Sequence, residues 1–398
     1  MSCQAILINY HGAELIRDAA ASLADDPACT DIVVVDNSVC PHQQQQLRAT
    51  LPARVRLLVA PENLGFARAC NLAFAGAQRR SDAASATDRQ HKVATATGVA
   101  AETETETETE TEFVLLLNPD ARLLPGALAR LIRTLHEHPH AAAVGPRIYW
   151  DHDRRFLLPL STYPSARDHL AEQLAACSPR LAAWRSHRFR RQQLHAWTAS
   201  RPFPVHALSG GHILLRRSAV QAAGGLFDPR FFMYFEDSDL MHRLHRLRRP
   251  LLLEPRASAI HLYDHTPRKN QLLAQGWHTY RQKHFAAPGW RLLERLIAAC
   301  PQQRPCAWPP LTVMQPPQPG SAALCLPVPD DLHPGWLLEI GLSPHFVPAI
   351  GHFGSGPRAH IPAHLLERFS AVSCYLRLSA PHPHARPHLP IVHIPPRA

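Results

Sequence analysis

Short, wholly apolar runs alternate with stretches of helical periodicity along the N-terminal part of the chain. Residues 5–9 (Ala-Ile-Leu-Ile-Asn) predict a buried strand, and residues 13–23 a helix. A second apolar run, Ile32 to Val35, ends in Asp36-Asn37. A third, Val55 to Val59, leads through Pro61-Glu62-Asn63-Leu64-Gly65 into a small-residue helix reaching about Ala77. Strands alternating with helices predict an α/β fold with mostly parallel strand order. Continuous rather than alternating apolar strands fit a sheet covered on both faces. Phe113 to Leu117 predicts a central strand ending in Asn118-Pro119-Asp120-Ala121-Arg122. A helix with Pro125 near its first turn then runs to about His138, and residues 142–148 return as a strand.

Two regions break this rhythm. Residues 79–112 are polar and Ala/Thr-rich and end in alternating Glu and Thr. Such a segment has little apolar surface to offset its ordering entropy, and glutamates on one face of a strand repel, so a disordered insertion is predicted. Residues 165–197 predict basic helices bearing Trp184 and Trp197. Ser209-Gly210-Gly211, a strand over 212–216 and Gly224-Gly225 follow. Leu240, Leu244 and Leu247 then recur at helical spacing after Glu236-Asp237-Ser238-Asp239. The domain organisation predicted is a catalytic-type α/β domain over 1–290, a Pro-rich linker over 291–329, a small β-rich, sandwich-like domain over 330–380, and a Pro/His tail over 381–398.

Composition narrows the partners. The chain has 398 residues, 45% hydrophobic, enough for a full core and a second small domain. A formal net charge of +10 leaves nucleic acid, an anionic membrane surface and phosphate-bearing substrates open. The nine cysteines contain no C-x-x-C pair, so buried free thiols are expected. No run approaches the ~18–20 apolar residues of a membrane span. Met1 leads almost directly into an apolar strand, with no charged leader, and the expectation is a soluble cytoplasmic protein.

Acids placed just beyond apolar strands project from the carboxyl edge of a sheet, where open α/β sheets bind ligands. Asp36, Asp120 and the Glu236/Asp237/Asp239 cluster are so placed. A carboxylate together with phosphate oxygens suits Mg²⁺ or Mn²⁺, and Asp120 is the natural anchor for such an ion. Asp237, at a helix start that favours an ionised carboxylate, suits a general base. Each acid alone has a plain structural reading as a helix cap or a turn residue.

The ordered set resembles a known family. Asp36-Asn37, Asn63-x-Gly65-Phe66-Ala67-Arg68-x-x-Asn71, Asn118-Pro119-Asp120-Ala121-Arg122 and Gly145-Pro146-Arg147 occur in that order. Ser209-Gly210-Gly211, Arg216-Arg217, Gly224-Gly225-Leu226-Phe227-Asp228, Phe231 through Leu240 and His261 complete the set. It is similar to family 2 glycosyltransferases of the GT-A fold, in particular the rhamnosyltransferase-like branch. The resemblance covers residues 1 to about 290, outside the insertion.

It implies an inverting transfer from a nucleotide-diphosphate sugar to a saccharide or lipid-linked acceptor in surface polysaccharide assembly. By the same resemblance Asn9, Asp36, Asn63, Gly65, Arg68, Asn71, Asn118, Ser209, Gly210 and Gly211 line the donor side. Asp120 binds the divalent metal, with His261 as second ligand and His265 as its substitute. Asp237 is the base, and Glu236 and Asp239 shape the acceptor pocket. The first position of the usual D-x-D pattern is Asn118 and adds no charge.

The basic stretches 180–191 and 242–256 leave a peripheral contact with the inner membrane surface open. The competing reading is a non-catalytic glycan- or nucleic-acid-binding protein that keeps the fold; nucleic acid is not expected, because aromatic-basic interleaving is missing. A dinucleotide-dependent oxidoreductase is excluded by the lack of G-x-G-x-x-G after the first strand.

Overall fold

The computed structural model describes residues 2–76, 111–262, 267–299, 311–316, 323–385, 388 and 390–396. The expected insertion lies outside the described residues apart from Thr111 and Glu112. The chain divides into two compact units, Met1–Gly145 with Ser209–Leu252, and Pro146–Leu208 with Leu253–Ala398.

The first unit is built on β1 (Cys3–Asn9), β2 (Cys29–Asp36), β3 (Val55–Val59) and β4 (Phe113–Leu117), parallel in the order β3-β2-β1-β4. After the short β5 (Ala121–Leu123), the start of β6 (Ala143–Tyr149) pairs antiparallel with β9 (His212–Arg216), and β9 with β4. Every residue of β1 and β4 is buried, as uninterrupted apolar strands require when both sheet faces are covered. The covering helices are α1 (Ala13–Ala24), α2 (Pro41–Thr50), α3 (65–76), α4 (Ala127–Glu137), α7 (Arg217–Ala222) and α8 (Glu236–Arg246). Leu128, Leu131, Ile132 and Leu135 show why α4 forms, since one face of a 3.6-residue period is wholly apolar and buried.

Topology places the ligand crevice. From β1 the chain steps outward to β2 and β3, then returns to β4 on the other side of β1. Loops leaving adjacent strands in opposite directions open a crevice at the carboxyl edge. Its two flanks are the end of β1 at Asn9 and the residues after β4, Asn118 to Asp120.

The second unit is another mixed sheet. Its order is β11 (Leu311–Val313), β17 (Ile391–Ile394), β16 (Cys374–Ser379), β13 (Trp336–Gly341), β14 (Ala349–Gly354) and β7 (Phe156–Leu157). Here only the β11–β17 pair is parallel. A separate ribbon of β12 (Ala323–Pro327) and β15 (Arg358–Pro362) shares a core with this sheet, and the sandwich likeness extends no further. The unit also holds β8 (Phe203–Val205), most of β10 (Leu251–His261), and α5 (Ala166–Cys177), α6 (Pro179–Thr198), α9 (Pro267–His284), α10 (Pro288–Ala298) and α11 (Ala363–Glu367).

These contacts divide the chain differently from the boundaries expected at 290 and 330. Leu194 and Trp197 of α6 pack with Leu157 and Leu337, so the C-terminal strands share their core with residues from before 210. Residues 291–329 are not purely linker, since they carry most of α10 together with β11 and β12. The seven described cysteines are free thiols; Cys3, Cys29, Cys70 and Cys374 are buried as expected, whereas Cys40 and Cys177 are half-buried and Cys325 is exposed.

A buried charge cluster ties the second unit together. Glu339 Oε2 accepts from Arg190 Nε at 3.1 Å and Arg377 Nε at 2.8 Å, while Oε1 accepts from Arg377 Nη2 at 2.8 Å. Arg190 also donates to Ser379 Oγ at 2.6 Å and to the carbonyls of His382 and Ala385. Removing the one anion leaves two desolvated guanidiniums facing each other. Glu339→Gln is therefore expected to lose about 3–5 kcal/mol of stability, read by urea denaturation; an unchanged midpoint would show that the cluster is not needed.

Candidate active site

At the nucleotide-side flank, the end of β1 and the end of β2 are joined side chain to side chain. Asn9 Nδ2 donates to Asp36 Oδ1 at 2.8 Å, and the same oxygen accepts from the Ser38 backbone at 3.2 Å. Asp36 is wholly buried and its Oδ2 has no hydrogen-bond partner. A buried carboxylate oxygen without a donor is costly, so Asp36 is under-satisfied where the resemblance expects a nucleoside hydroxyl or base N–H.

Asn37, quoted in the motif but given no role from sequence, is the latch of this corner. Its Nδ2 donates to Asn63 Oδ1 at 3.0 Å and Gly65 O at 3.2 Å, and its Oδ1 accepts from the Leu64 backbone at 2.8 Å. These bonds fold the turn after β3 over the end of β2. Arg68, by contrast, is half-exposed and its carboxylate contact is Glu62 at 3.5 Å, leaving its charge in reach of an anionic ligand.

Gly65 and Asn71 hold a loop rather than standing open. Gly65 has φ +73°, and a Cβ there would lie 2.4 Å from Phe232 O. The next residue, Phe66, donates its N–H to that same carbonyl at 2.7 Å. Asn71 Nδ2 donates to Phe227 O at 2.8 Å while its Oδ1 accepts from Phe227 N at 3.0 Å. Its amide copies one rung of a strand ladder and fixes the segment leading to the acid cluster.

That segment ends in an unusual backbone. Tyr234 (φ 68°) and Phe235 (φ 67°) are consecutive left-handed non-glycine residues. Each costs roughly 1–2 kcal/mol, which the surrounding contacts must offset. The result is a sharp entry into α8 that sets Glu236 and Asp237 on its first turn.

Ser209-Gly210-Gly211 bridges the two halves of the chemistry. Asn118 N donates to Gly211 O at 2.8 Å, and a Cβ on Gly211 would lie 2.6 Å from the Asn118 carboxamide. Gly210 N donates to Asp237 Oδ2 at 3.1 Å, and a Cβ on Gly210 would lie 3.2 Å from Asp237 Cβ. Ser209 Oγ accepts from Gly211 N at 3.2 Å. The absence of side chains at Gly210 and Gly211 leaves room for Asp237 and for the Asn118 carboxamide against one backbone run. Asp120 lies two residues beyond Asn118, so this run brings the expected metal side and the expected base into one neighbourhood.

The three acids of the cluster differ sharply. Asp237 is half-buried; its Oδ1 accepts from Ser238 N at 2.7 Å and Ser238 Oγ at 3.3 Å. Burial raises its pKa, while the donors from Gly210 and Ser238 restrain the rise. Glu236 is 6% exposed and its Oε2 has no partner. Burial, followed by the neighbouring Asp237 charge, pushes Glu236 up to about 8, so it carries a proton at neutral pH. Asp239 is fully buried, and its Oδ2 accepts from Arg243 Nε at 2.9 Å. Arg243 in turn donates to the carbonyls of Ala223, Gly225 and Leu226. Through Arg243, Asp239 anchors the loop before α8.

Asp120 is the carboxylate that the described residues place just beyond β4. It stands half-buried, and Arg122 braces the same turn by donating to the carbonyls of Pro119 and Ala121, each at 2.7 Å. Among the described residues, no three His, Cys, Asp or Glu side chains converge as a metal cage. A hard divalent ion held by one carboxylate and by donor phosphates needs no such cage, so the oxygen donor of Asp120 fits Mg²⁺ or Mn²⁺. His261 belongs to the second unit, at the end of β10 and 8% exposed; His265 lies outside the described residues.

The strand order and the acids at its carboxyl edge resemble those of the GT-A glycosyltransferases, and comparison with known sequences finds a relative of that kind over part of the chain. Over 161 residues the chain is 34% identical to the N-acetylglucosaminyl-diphospho-decaprenol L-rhamnosyltransferase of two strains of Mycobacterium tuberculosis. That alignment takes in 39% of this chain and 48% of the relative, so the chain spans about half the length of the curated relatives it matches. No family model matches the chain. Similar solved structures include GalNAc-T7 with UDP, GalNAc and Mn²⁺, at 13% identity over 66% of this chain and 44% of that one, TM-score 0.43. Another is the mannosyltransferase PcManGT from Pyrobaculum calidifontis in complex with GDP-Man and Mn²⁺, at 15% identity over 75% and 73%, TM-score 0.41.

The raised Glu236 pKa makes a stability prediction with a definite sign. The folded state binds this proton up to about pH 8, whereas an unfolded Glu releases it near 4.5. The stability it contributes is present below the unfolded value and is lost as pH rises through about 8. Glu236→Gln should match wild type near pH 4 and exceed it at pH 9 by on the order of a few kcal/mol. Thermal melts of both proteins across that range check this; parallel pH profiles would show that Glu236 ionises freely.

Proposed function

We propose that this protein transfers a sugar from a nucleotide-diphosphate donor to an acceptor hydroxyl, inverting the anomeric centre in one displacement. The observation that carries this reading is the Ser209-Gly210-Gly211 run held between Asn118 and Asp237. It supports reading Asp237 as a base that works beside the diphosphate, near the edge where the sheet topology opens.

In this reading Asp36, Asn9 and the Asn37-latched turn receive the nucleoside, and Arg68 meets the anionic part of the donor. Asp120 would hold Mg²⁺ or Mn²⁺, which when bound supplies neutralisation of the departing diphosphate. Asp237 takes the proton from the acceptor oxygen as that oxygen bonds to the anomeric carbon and the diphosphate leaves. Glu236, protonated beside it, withholds a second negative charge from the acceptor side. Asp239 positions the helix through Arg243.

The finer assignment follows the relatives. The mycobacterial proteins are named for L-rhamnosyl transfer to a diphospho-decaprenol-linked N-acetylglucosamine. We infer a deoxyhexose donor of the dTDP-rhamnose kind and a saccharide carried on a lipid diphosphate, with work at the inner membrane face in surface polysaccharide assembly.

Separating base from binding tests the reading. Asp237→Asn keeps the size of the side chain, so donor affinity should stay within about twofold of wild type. Turnover should fall ~10²- to 10⁴-fold, as loss of a general base does. Normal turnover in that variant would remove Asp237 from the chemistry.

A further inference from the structure

Two stripes of exposed side chains in the second unit take no part in the chemistry. On α10, Leu292 and Leu296 are each 59% exposed and, four residues apart, share one helix face. Arg291 and Arg295, also exposed, immediately precede them. The other face turns inward, with Ile297 buried and Glu294 Oε1 lying 3.1 Å from His169 Nε2 of α5. On α6, Leu181, Trp184, Arg188 and Arg191 are exposed at helical spacing, and the Arg188 guanidinium lies 5.6 Å from the Trp184 ring centre. Helix α5 packs against both α6 and α10, so the two helices that carry the stripes belong to one helical layer.

We propose that the exposed faces of α6 and α10 dock on the surface of an anionic lipid bilayer. Leucines at the centre of an amphipathic face enter the acyl boundary, arginines beside them reach lipid phosphates, and a Trp–Arg pair suits the interface itself. Nucleic acid would meet the arginines but leave the leucines in water. A second copy of this surface would bring like-charged arginines together. Among the described residues no helix is long and apolar enough to cross a membrane. The inference deepens the reading of a lipid-linked acceptor and rests on it only for what the docking serves.

Co-sedimentation tests it, using the full chain with phosphatidylglycerol/phosphatidylcholine vesicles and with pure phosphatidylcholine. Wild type should pellet with the anionic vesicles, weakly with the neutral ones, and less as salt rises. Leu292→Glu/Leu296→Glu should weaken partitioning by about a hundredfold or more. If that variant fails to fold, Leu292→Ala/Leu296→Ala should still weaken it about tenfold. Docking is overturned by failure of wild type to pellet with anionic vesicles, by equal pelleting of a folded variant, or by a concentration-dependent dimer that the substitutions dissolve. Nucleotide binding measured on the same samples separates the two readings. Vesicle binding without nucleotide binding removes the catalytic reading alone, and nucleotide binding without vesicle binding removes the docking alone.

Discussion

The site depends on one close backbone approach. Gly211 lies against the Asn118 carboxamide while its carbonyl accepts the Asn118 N–H, and Gly210 donates to Asp237. Two sequence regions more than a hundred residues apart thereby share three residues of main chain. A side chain at Gly211 would collide with the Asn118 carboxamide and displace it from this run. The left-handed pair Tyr234-Phe235 completes the arrangement, because a regular entry into α8 would aim the acids elsewhere. The loop that bears this strain is held from outside by Asn71, by the Phe66 N–H and by the Asp239–Arg243 pair.

Electrostatics then assigns different tasks to neighbouring carboxyls. Glu236 and Asp237 are adjacent in sequence and desolvated, so both cannot cheaply be ionised. Gly210 and Ser238 direct three hydrogen bonds at Asp237, whereas Glu236 keeps an oxygen with no partner. The negative charge therefore settles on Asp237. An environment that pushes the pKa values of two close acids apart is a common way to obtain a base next to a neutral group.

Much of this was legible in the sequence. The apolar runs gave the strands of the first unit, and the acids beyond them marked its ligand edge. What periodicity could not show was which motif residues face a ligand and which brace a loop. Asn71 and Asp239 carry polar side chains in the expected order, yet their partners, the Phe227 backbone and Arg243, make them struts. Asn37 went unassigned because its work is done on the turn after β3, a contact with no local sequence signal. The second unit was harder to read. Its sheet joins the two-residue strand β7 to strands from beyond residue 310, and such pairing over long separations leaves no pattern in any one window.

The central claim is that the edge between β1 and β4 binds a nucleotide diphosphate with a metal ion at Asp120. Calorimetric titration of UDP and dTDP into the protein, with and without Mn²⁺, tests it most directly. The account predicts binding that requires the metal, prefers dTDP, and disappears in Asp120→Ala while that variant melts as wild type does. Binding of neither nucleotide under any metal condition, or undiminished binding by Asp120→Ala, would contradict it.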